Sequence, residues 1–235
     1  MTERGRGALA QSENRLAIGP SALEWRDGDL VLDIREVAVP LPRPIRGQVR
    51  LKPAAMTTRG FEIDSRGRHR WWPIAPVSRV EVELSEPDLK WSGPAYLDTN
   101  AGDEPLEDGF VYWNWSRASL RQGAAIAYDA VRRDGSEGSL GLIADPSGAL
   151  REVELPPAAV IPSGLWGVRR AARADEGQLT LRKTLEDAPF YTRSLLTGQL
   201  FGEDFTAVHE SLDLDRFANP VVKLMLPFRM PRRSR

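Results

Sequence analysis

Frequent turn residues between short alternating apolar runs constrain the fold of this chain more than any other feature. Glycine occurs 20 times and proline 18 times in 235 residues, so few long segments are free of chain breakers. Between these breaks, apolar and polar residues alternate over 30–35, 80–84 and 179–182. A period of two places alternate side chains on opposite faces of a strand. The pattern therefore predicts a mostly β chain.

Turn signals between these runs predict hairpins, and hairpins pair strands in antiparallel fashion. The turns are Asp27-Gly28, Asp134-Gly135 and the loop 145–148. Many short strands of this kind are typical of an antiparallel barrel or of two packed antiparallel sheets. We expect at most one or two short helices, one of them running from Thr184 towards Leu195. We predict a single β-domain over 1–227, followed by a basic tail over 228–235.

Composition excludes several functional classes. Lys and Arg total 32 against 33 Asp and Glu, so no net basic charge predicts nucleic-acid binding. There is no cysteine, which excludes disulfides, thiolate catalysis and cysteine-ligated zinc, and which suits a reducing compartment. The polar N-terminal sequence lacks the apolar core of a secretory signal, and no apolar run reaches membrane-spanning length. We expect a soluble, cytoplasmic protein.

Aromatic residues concentrate in two segments that also carry titratable groups. Five of the seven tryptophans lie within 68–73 and 91–115. In an extended segment, Tyr96 and Asp98 project from one face, and His69 and Trp71 likewise share a face. If two such faces meet, one carboxyl, one imidazole and several aromatic rings line a common pocket.

Such a pocket suits acid catalysis. Loss of hydration disfavours a charged carboxylate, so the pKa of Asp98 is expected to rise, and the side chain then serves as a general acid. Aromatic faces stabilise a positive charge that develops nearby. The combination fits protonation of an isolated alkene.

Structural interpretations of the same residues stay open on spacing alone. Clustered tryptophans in β proteins are usually packing residues, a lone aspartate such as Asp98 is often a turn residue, and a single histidine such as His69 is often structural. The acidic residues within 103–108 lie around Gly102, Pro105 and Gly109, so we expect a solvated loop there and no metal site.

The longest motif resembles a known family. The sequence WSGPAYLDTNAGDEPLEDGFVYWNWSRA at 91–118 is similar to the carotenoid 1,2-hydratases, also called hydroxyneurosporene synthases. Further similar segments are RHRWWPIAP at 68–76, the stretch 188–217, and MLPFRMPR at 225–232. The resemblance thus extends over most of the chain.

The resemblance implies a cofactor-free and metal-free hydro-lyase of lipocalin-like β architecture. Such an enzyme adds water across the terminal C1=C2 bond of an acyclic carotene, of the lycopene or neurosporene type, so its partners are an acyclic carotenoid and water. By position in the motifs, Asp98 corresponds to the catalytic acid, and His69, Trp71 and Tyr96 correspond to supporting catalytic residues.

The resemblance also implies a longer N-terminal region with aromatic-rich strands. Because carotenes are insoluble, we expect peripheral membrane contact through the apolar and basic tail at 228–235. Two alternatives remain open: a lipocalin-like carrier of a hydrophobic ligand without catalysis, and another cation-based isoprenoid or polyketide enzyme. A carrier has no use for a buried carboxyl at Asp98.

Overall fold

A computed structural model describes residues 4–38 and 41–229, and most of their regular structure is β-strand. The strands, in chain order, are β1 (Leu9–Gln11), β2 (Arg15–Ile18), β3 (Ser21–Arg26), β4 (Asp29–Ala38), β5 (Arg43–Pro53), β6 (Phe61–Glu62), β7 (His69–Glu86), β8 (Asp88–Gly102), β9 (Phe110–Leu120), β10 (Gly123–Arg132), β11 (Glu137–Ala144), β12 (Leu150–Glu152), β13 (Ala158–Ile161), β14 (Arg170–Arg173), β15 (Leu179–Asp187), β16 (Tyr191–Leu200) and β17 (Glu203–Asp213). The predicted mostly β class is confirmed.

The described residues fall into two compact units. The first contains 4–38, 41–54, 78–96 and 223–229, and the second contains 55–77 and 97–222. Strands β7 and β8 each contribute residues to both units. The single β-domain over 1–227 stays a prediction.

In the first unit, antiparallel strands follow the order β1-β2-β3-β4-β5-β7. Leu30 pairs with Leu51, which pairs with Val80, and all three side chains are buried. The β3–β4 hairpin turns at Asp27 and Gly28, whose φ angles of 53° and 85° are both positive. A tight hairpin turn of this kind needs positive φ at both central residues, which explains the Asp-Gly pair.

In the second unit, the antiparallel order is β12-β11-β10-β9-β17-β16-β15. Tyr128 of β10 pairs with Trp115 of β9, which pairs with Glu210 of β17. Directly paired residues in an antiparallel sheet lie on the same face, so these three side chains form one row across the sheet. Strand β6 pairs with the start of β7, where Phe61 lies opposite Trp71.

The opposite face of this sheet is covered by the hairpin of β13 and β14. Its core is a cluster of mostly small apolar side chains from both layers. The buried members are Ala118, Ala125, Ile161, Ala172, Ala174, Leu196, Leu200, Phe205 and Ala207. Small residues allow the hairpin to approach the sheet closely, and Phe205 is the one aromatic ring among these buried members.

The sheet of the second unit is open in the described part of the chain, because its order ends at β12 and β15. Strand β15 has two register shifts against β16 and carries Arg182 and Lys183. Bulges and exposed cations on an edge strand discourage pairing with a further strand. Of the two predicted architectures, the described residues form antiparallel sheets and no closed barrel.

The predicted helix from Thr184 towards Leu195 was wrong. The chain instead completes β15, turns at Pro189, and returns as β16. Thr192, Ser194 and Leu196 alternate as buried residues along β16. Pairing with two neighbouring strands outweighs the weak local helix preference of this segment.

Three short α-helices occur within residues 4–38 and 41–229, one more than we expected: α1 (Leu106–Gly109), α2 (Leu214–Ala218) and α3 (Pro220–Arg229). The Asp213 side chain accepts a hydrogen bond from the Arg216 backbone N–H and so caps α2. Pro220 begins α3, a position that needs no N–H donor.

No helix among the described residues combines the length and the apolar character needed to cross a bilayer. Helix α3 extends to Arg229. The side chains of the predicted tail at 228–235 lie outside the described residues.

Candidate active site

The start of β7 carries two of the predicted site residues on one buried face. His69 and Trp71 are each 1% exposed, whereas the intervening Arg70 is exposed. This alternation is the half-buried strand pattern that the sequence predicted. The shared face brings an imidazole and an indole to the same side of the strand.

Trp71 is bonded directly to the predicted acid. Its indole Nε1 donates a hydrogen bond to Oδ2 of Asp98 at 2.8 Å. Burial raises the pKa of Asp98, and the negative charge of Glu210 raises it further, while the bond from Trp71 acts in the opposite direction. The net effect is a raised pKa, which extends the pH range in which this carboxyl keeps its proton.

Six rings form a continuous aromatic cluster beside this carboxyl. Its members are Phe61, Trp71, Tyr128, Trp113, Phe110 and His69. Successive ring centroids are separated by 6.0, 5.7, 5.8, 5.8 and 4.9 Å in that order. The tilted and edge-on arrangements are those that aromatic pairs prefer. The cluster supplies an apolar, electron-rich surrounding for any positive charge formed near Asp98.

The pairing of β9 with β10 explains why these rings meet. Trp113 pairs with Ala130, and Trp115 pairs with Tyr128, so the rings lie two residues apart on one face. Burial raises the pKa of Tyr128, as do the charges of Asp98 and Glu210. Tyr128 therefore stays a neutral phenol close to the carboxyl.

His69 occupies a space bounded by two glycines. A Cβ atom at Gly102 would lie 2.9 Å from Nδ1 of His69, and one at Gly109 would lie 2.6 Å from Nε2. Both ring nitrogens are buried, and neither forms a hydrogen bond within the described residues. Any larger residue at either glycine would displace the ring, so the glycines are needed for close packing.

Glu104 is the charged neighbour of His69. Its Oε1 lies 3.6 Å from Nε2 of the imidazole, and its other carboxylate oxygen pairs with Arg68. The hydrogen bond from Arg68 lowers the pKa of Glu104. The acidic loop expected to be merely solvated therefore supplies a side chain that packs beside a predicted site residue.

The structure thus joins Trp71 to Asp98 and connects His69 to them through the aromatic cluster, without a hydrogen bond from His69 to Asp98. Tyr96 precedes Asp98 by two residues in β8 and is half-buried. It belongs to the first unit, and its place in the site stays a prediction.

Sequence reasoning missed Tyr128, Glu210 and Glu104. Tyr128 lies in an apolar run rich in alanine, and Glu210 lies in a strand about 110 residues after Asp98, so no local spacing connects them. Glu104 lies within the motif at 91–118, but the sequence analysis interpreted it only as part of a solvated loop.

A pocket of about 400 Å³ opens beside the aromatic cluster. Its lining includes Phe61, Trp72, Thr99 and Ala101. Thr99 and Ala101 alternate with Asp98 along β8 and therefore project to the opposite face. The Asp98 carboxyl is therefore not part of the lining of this pocket.

Within residues 4–38 and 41–229, no group of three or more His, Asp or Glu side chains is arranged to hold a metal ion. The reaction without metal or cofactor stays a prediction. The groups available for chemistry are one carboxyl with a raised pKa, neutral aromatic rings and a second carboxylate.

Comparison with known proteins gives the family. The sequence profile of the family described as carotenoid hydratase CrtC matches residues 1–235. The chain belongs to the carotenoid hydratase family. The resemblance inferred from the motifs at 68–76 and 91–118 is thereby confirmed.

Relatives of this carotenoid hydratase family member carry the name acyclic carotenoid 1,2-hydratase. The identity is 52% over 234 residues with the protein of Thiocapsa roseopersicina and 45% over 240 residues with that of Rubrivivax gelatinosus. It is 40% over 235 residues with that of Cereibacter sphaeroides. These matches cover 99–100% of this chain, but 58% of the first two relatives and 84% of the third. The chain thus spans little more than half the length of the first two.

Solved structures show the same fold at low identity. A crystal structure assigned to AttH from Nitrosomonas europaea has a TM-score of 0.62 and 14% identity, covering 89% of this chain and 73% of that one. The structure of CghA with Sch210972 has a TM-score of 0.51 and 11% identity, covering 87% and 69%. The likeness confirms the lipocalin-like β fold.

Proposed function

We propose that this chain adds water across the terminal C1=C2 bond of an acyclic carotene of the lycopene or neurosporene type, giving a 1-hydroxycarotenoid. The observation that carries the proposal is the Asp98 carboxyl, bonded to Trp71 and raised in pKa by burial. Membership of the carotenoid hydratase family and relatives named acyclic carotenoid 1,2-hydratase support the same reaction.

The proposed first step is proton transfer from Asp98 to C2. The π electrons of the C1=C2 bond form the new C–H bond, and positive charge remains at C1. Protonation at this end is favoured because C1 carries two methyl groups, so the cation is tertiary. Asp98 is left as a carboxylate, which attracts that cation.

The second step adds water. A lone pair of the water oxygen forms the C1–O bond, and a proton leaves that oxygen, giving the tertiary alcohol. The proton passes to the Asp98 carboxylate directly or through solvent, which restores the acid. No oxidant, reductant or cofactor is consumed.

Trp71 and Tyr128 stabilise the cation between these steps. Their rings lie 5.7 Å apart beside Asp98, and an aromatic face in an apolar setting contributes up to about 2 kcal/mol to a nearby cation. Neither ring carries a basic group that removes the proton prematurely. A supporting role for Tyr96, implied by the resemblance, stays a prediction.

For His69 we propose a positioning role. Its nitrogens are enclosed against Gly102 and Gly109, and Glu104 lies beside Nε2. The ring thereby holds the end of β8 and helix α1 against β7. Its support for water addition, implied by the resemblance, acts through this packing.

The decisive experiment is expression of the 235-residue chain in lycopene-producing cells, with mass analysis of the extracted pigment. The wild-type chain is expected to yield pigment heavier by one or two waters. Asp98→Asn is expected to lower the yield by about 10²–10⁴-fold, because it removes the general acid. Asp103→Asn, an exposed carboxyl just beyond β8, is the matched control and should hydrate normally.

Hydration by Asp98→Asn at the wild-type rate would contradict the assignment of the acid. Unchanged pigment with the wild-type chain, together with lycopene binding that Asp98→Leu preserves or improves, would instead support the carrier alternative.

We also propose that the chain meets its substrate at a membrane surface, because acyclic carotenes partition into lipid. The loop before β14 exposes 93% of Leu165 and 44% of Trp166. Its backbone is held, since Leu165 N–H donates to Asp187 and the Arg216 guanidinium donates to the Trp166 carbonyl. A rigid loop that presents leucine and tryptophan is suited to insertion at the lipid interface. The cytoplasmic location stays a prediction.

Flotation with vesicles of phosphatidylcholine and phosphatidylglycerol tests this contact. Changing both Leu165 and Trp166 to serine is expected to weaken binding about tenfold or more, given the apolar area withdrawn from lipid. Leu185→Ser, at another exposed leucine on β15, serves as the control. Equal flotation of all three proteins would show that this loop does not contribute to membrane binding.

A further inference from the structure

A second carboxylate lies on the same face of the sheet as the acid site. Glu210 of β17, Trp115 of β9 and Tyr128 of β10 occupy one row of directly paired residues. Tyr128 contacts Trp71, which donates its hydrogen bond to Asp98. Strand pairing therefore fixes Glu210 on the side of the sheet where Asp98 lies.

Glu210 is held by a cation from the next strand. Nε of Arg193 donates to Oε1 of Glu210 at 2.9 Å, and Nη2 lies 2.8 Å from the same oxygen. The Glu210 side chain is 21% exposed. The Arg193 guanidinium also lies 5.8 Å from the centre of the Tyr191 ring. A carboxylate placed this way keeps a fixed position relative to the sheet.

The negative charge of Glu210 affects the titration of groups in the acid site. It raises the pKa of Asp98 and that of Tyr128, in each case in addition to the larger effect of burial. A like charge disfavours ionisation of a neighbouring carboxyl. Arg193 opposes this effect, because a cation beside Glu210 compensates part of its charge.

Other charged or titratable groups face the same region from the packed strands. They are His69 on β7, Arg117 on β9, Tyr128 on β10, and Tyr191 and Arg193 on β16. Burial keeps both tyrosines neutral, since it raises the pKa of each. Arg117 is directed to the Pro76 carbonyl and to Ser119. Glu186 on the edge strand β15 pairs with Arg193 and is exposed. Of the two anions on this face, Glu210 is the one whose charge raises the pKa of Asp98.

We propose that Glu210 is a positioning residue that keeps Asp98 protonated, and that Arg193 limits this effect by compensating part of the Glu210 charge. This inference rests on the proposed function, because it holds that Glu210 and Arg193 together determine the pH range over which Asp98 acts as the general acid. Glu210 acts through Asp98 and is not required to touch the carotene.

The pH profile of hydration separates this role from a structural one. Activity falls as pH rises through the pKa of Asp98, since the protonated form is the donor. Glu210→Gln removes the like charge, so this fall is expected at lower pH than in the wild type. Arg193→Gln leaves Glu210 uncompensated, so the fall is expected at higher pH. Glu137→Gln, an exposed carboxylate at the start of β11 that pairs with Val131 on the opposite face of the sheet, should leave the profile in place.

A second measurement is independent of turnover. Difference infrared spectroscopy follows the protonated carboxyl band that disappears in Asp98→Asn, and its midpoint should move in opposite directions in Glu210→Gln and Arg193→Gln. A midpoint that stays fixed in both variants would overturn the inference. Shifted midpoints without any hydration of lycopene would leave the Glu210 inference standing and overturn the proposed function.

Discussion

Strand β9 presents Trp113 and Trp115 to one side of its sheet and Tyr112 and Asn114 to the other. The first side belongs to the aromatic cluster and to Asp98. The second side is covered by β13 and β14 and contains His209, which is fully buried. Each face therefore encloses a titratable group, but in different surroundings.

On the covered face, polar groups bond to one another. Oδ1 of Asn114 accepts from the Ser211 hydroxyl at 2.7 Å and from the Ala171 N–H at 3.4 Å, and lies 2.8 Å from the Tyr112 hydroxyl oxygen. Nε2 of His209 donates to the Ala171 carbonyl at 2.9 Å. These bonds satisfy buried polar groups and hold the hairpin in register.

On the aromatic face, Asp98 meets rings and one indole N–H. Burial moves both titratable groups towards their neutral forms: it lowers the pKa of His209 to about 4 and raises the pKa of Asp98. The difference is access. His209 is enclosed by a hydrogen-bonded layer, whereas Asp98 is only half-buried. Burial thus shifts the pKa of a titratable group towards its neutral form on either face, and access to the group determines whether it is suited to proton donation.

The largest expected effect is on the pH dependence of stability. The pKa of His209 falls from 6.5 to about 4 on folding. The unfolded chain therefore binds more protons between these values, so stability is complete above pH 6.5 and declines as pH falls towards 4. The full contribution is roughly 3 kcal/mol at 1.36 kcal/mol per pH unit.

The contribution of Asp98 to stability should depend on pH in the opposite direction. Its pKa is raised on folding, so its contribution to stability is complete below the ordinary carboxyl range and is lost as pH rises through the folded value. Urea unfolding at a series of pH values tests both. In His209→Gln, the free energy of unfolding should decline less between pH 6.5 and 4 than it does in the wild type. In Asp98→Asn, the free energy of unfolding should rise relative to the wild type towards neutral pH. Identical slopes in all three proteins would show that the two faces do not differ in this way.

Local patterns predicted the strands and turns because they depend on neighbouring residues. The alternation at 30–35, the Asp27-Gly28 turn and the shared face of His69 and Trp71 all need only a period of two and a residue tolerant of positive φ. The segment 184–195 was misassigned, since its strand state is imposed by β17 on one side and by the β15 edge on the other.

The candidate site was predictable only in part. Asp98 and Trp71 emerged because both lie in aromatic motifs that resemble a known family. Glu210 and Tyr128 join them through the register of β17, β9 and β10, which brings together residues far apart in the sequence. No period or spacing in one sequence encodes that register, so the second carboxylate required the structure.

A smaller effect is expected from Asn114→Ala, which should lower the free energy of unfolding without lowering hydration activity. Asn114→Ala removes the acceptor for Ser211 and for the Ala171 N–H, and buried donors left unpaired cost about 1–3 kcal/mol. The free energy of unfolding should fall by that amount in urea titrations, whereas Asn14→Ala, at an exposed turn, should change it little. Hydration activity per folded molecule should stay at the wild-type value, because Asn114 faces away from Asp98. If activity falls further than the folded fraction does, the two faces are coupled, and the hydrogen-bonded layer also determines the geometry of the acid site.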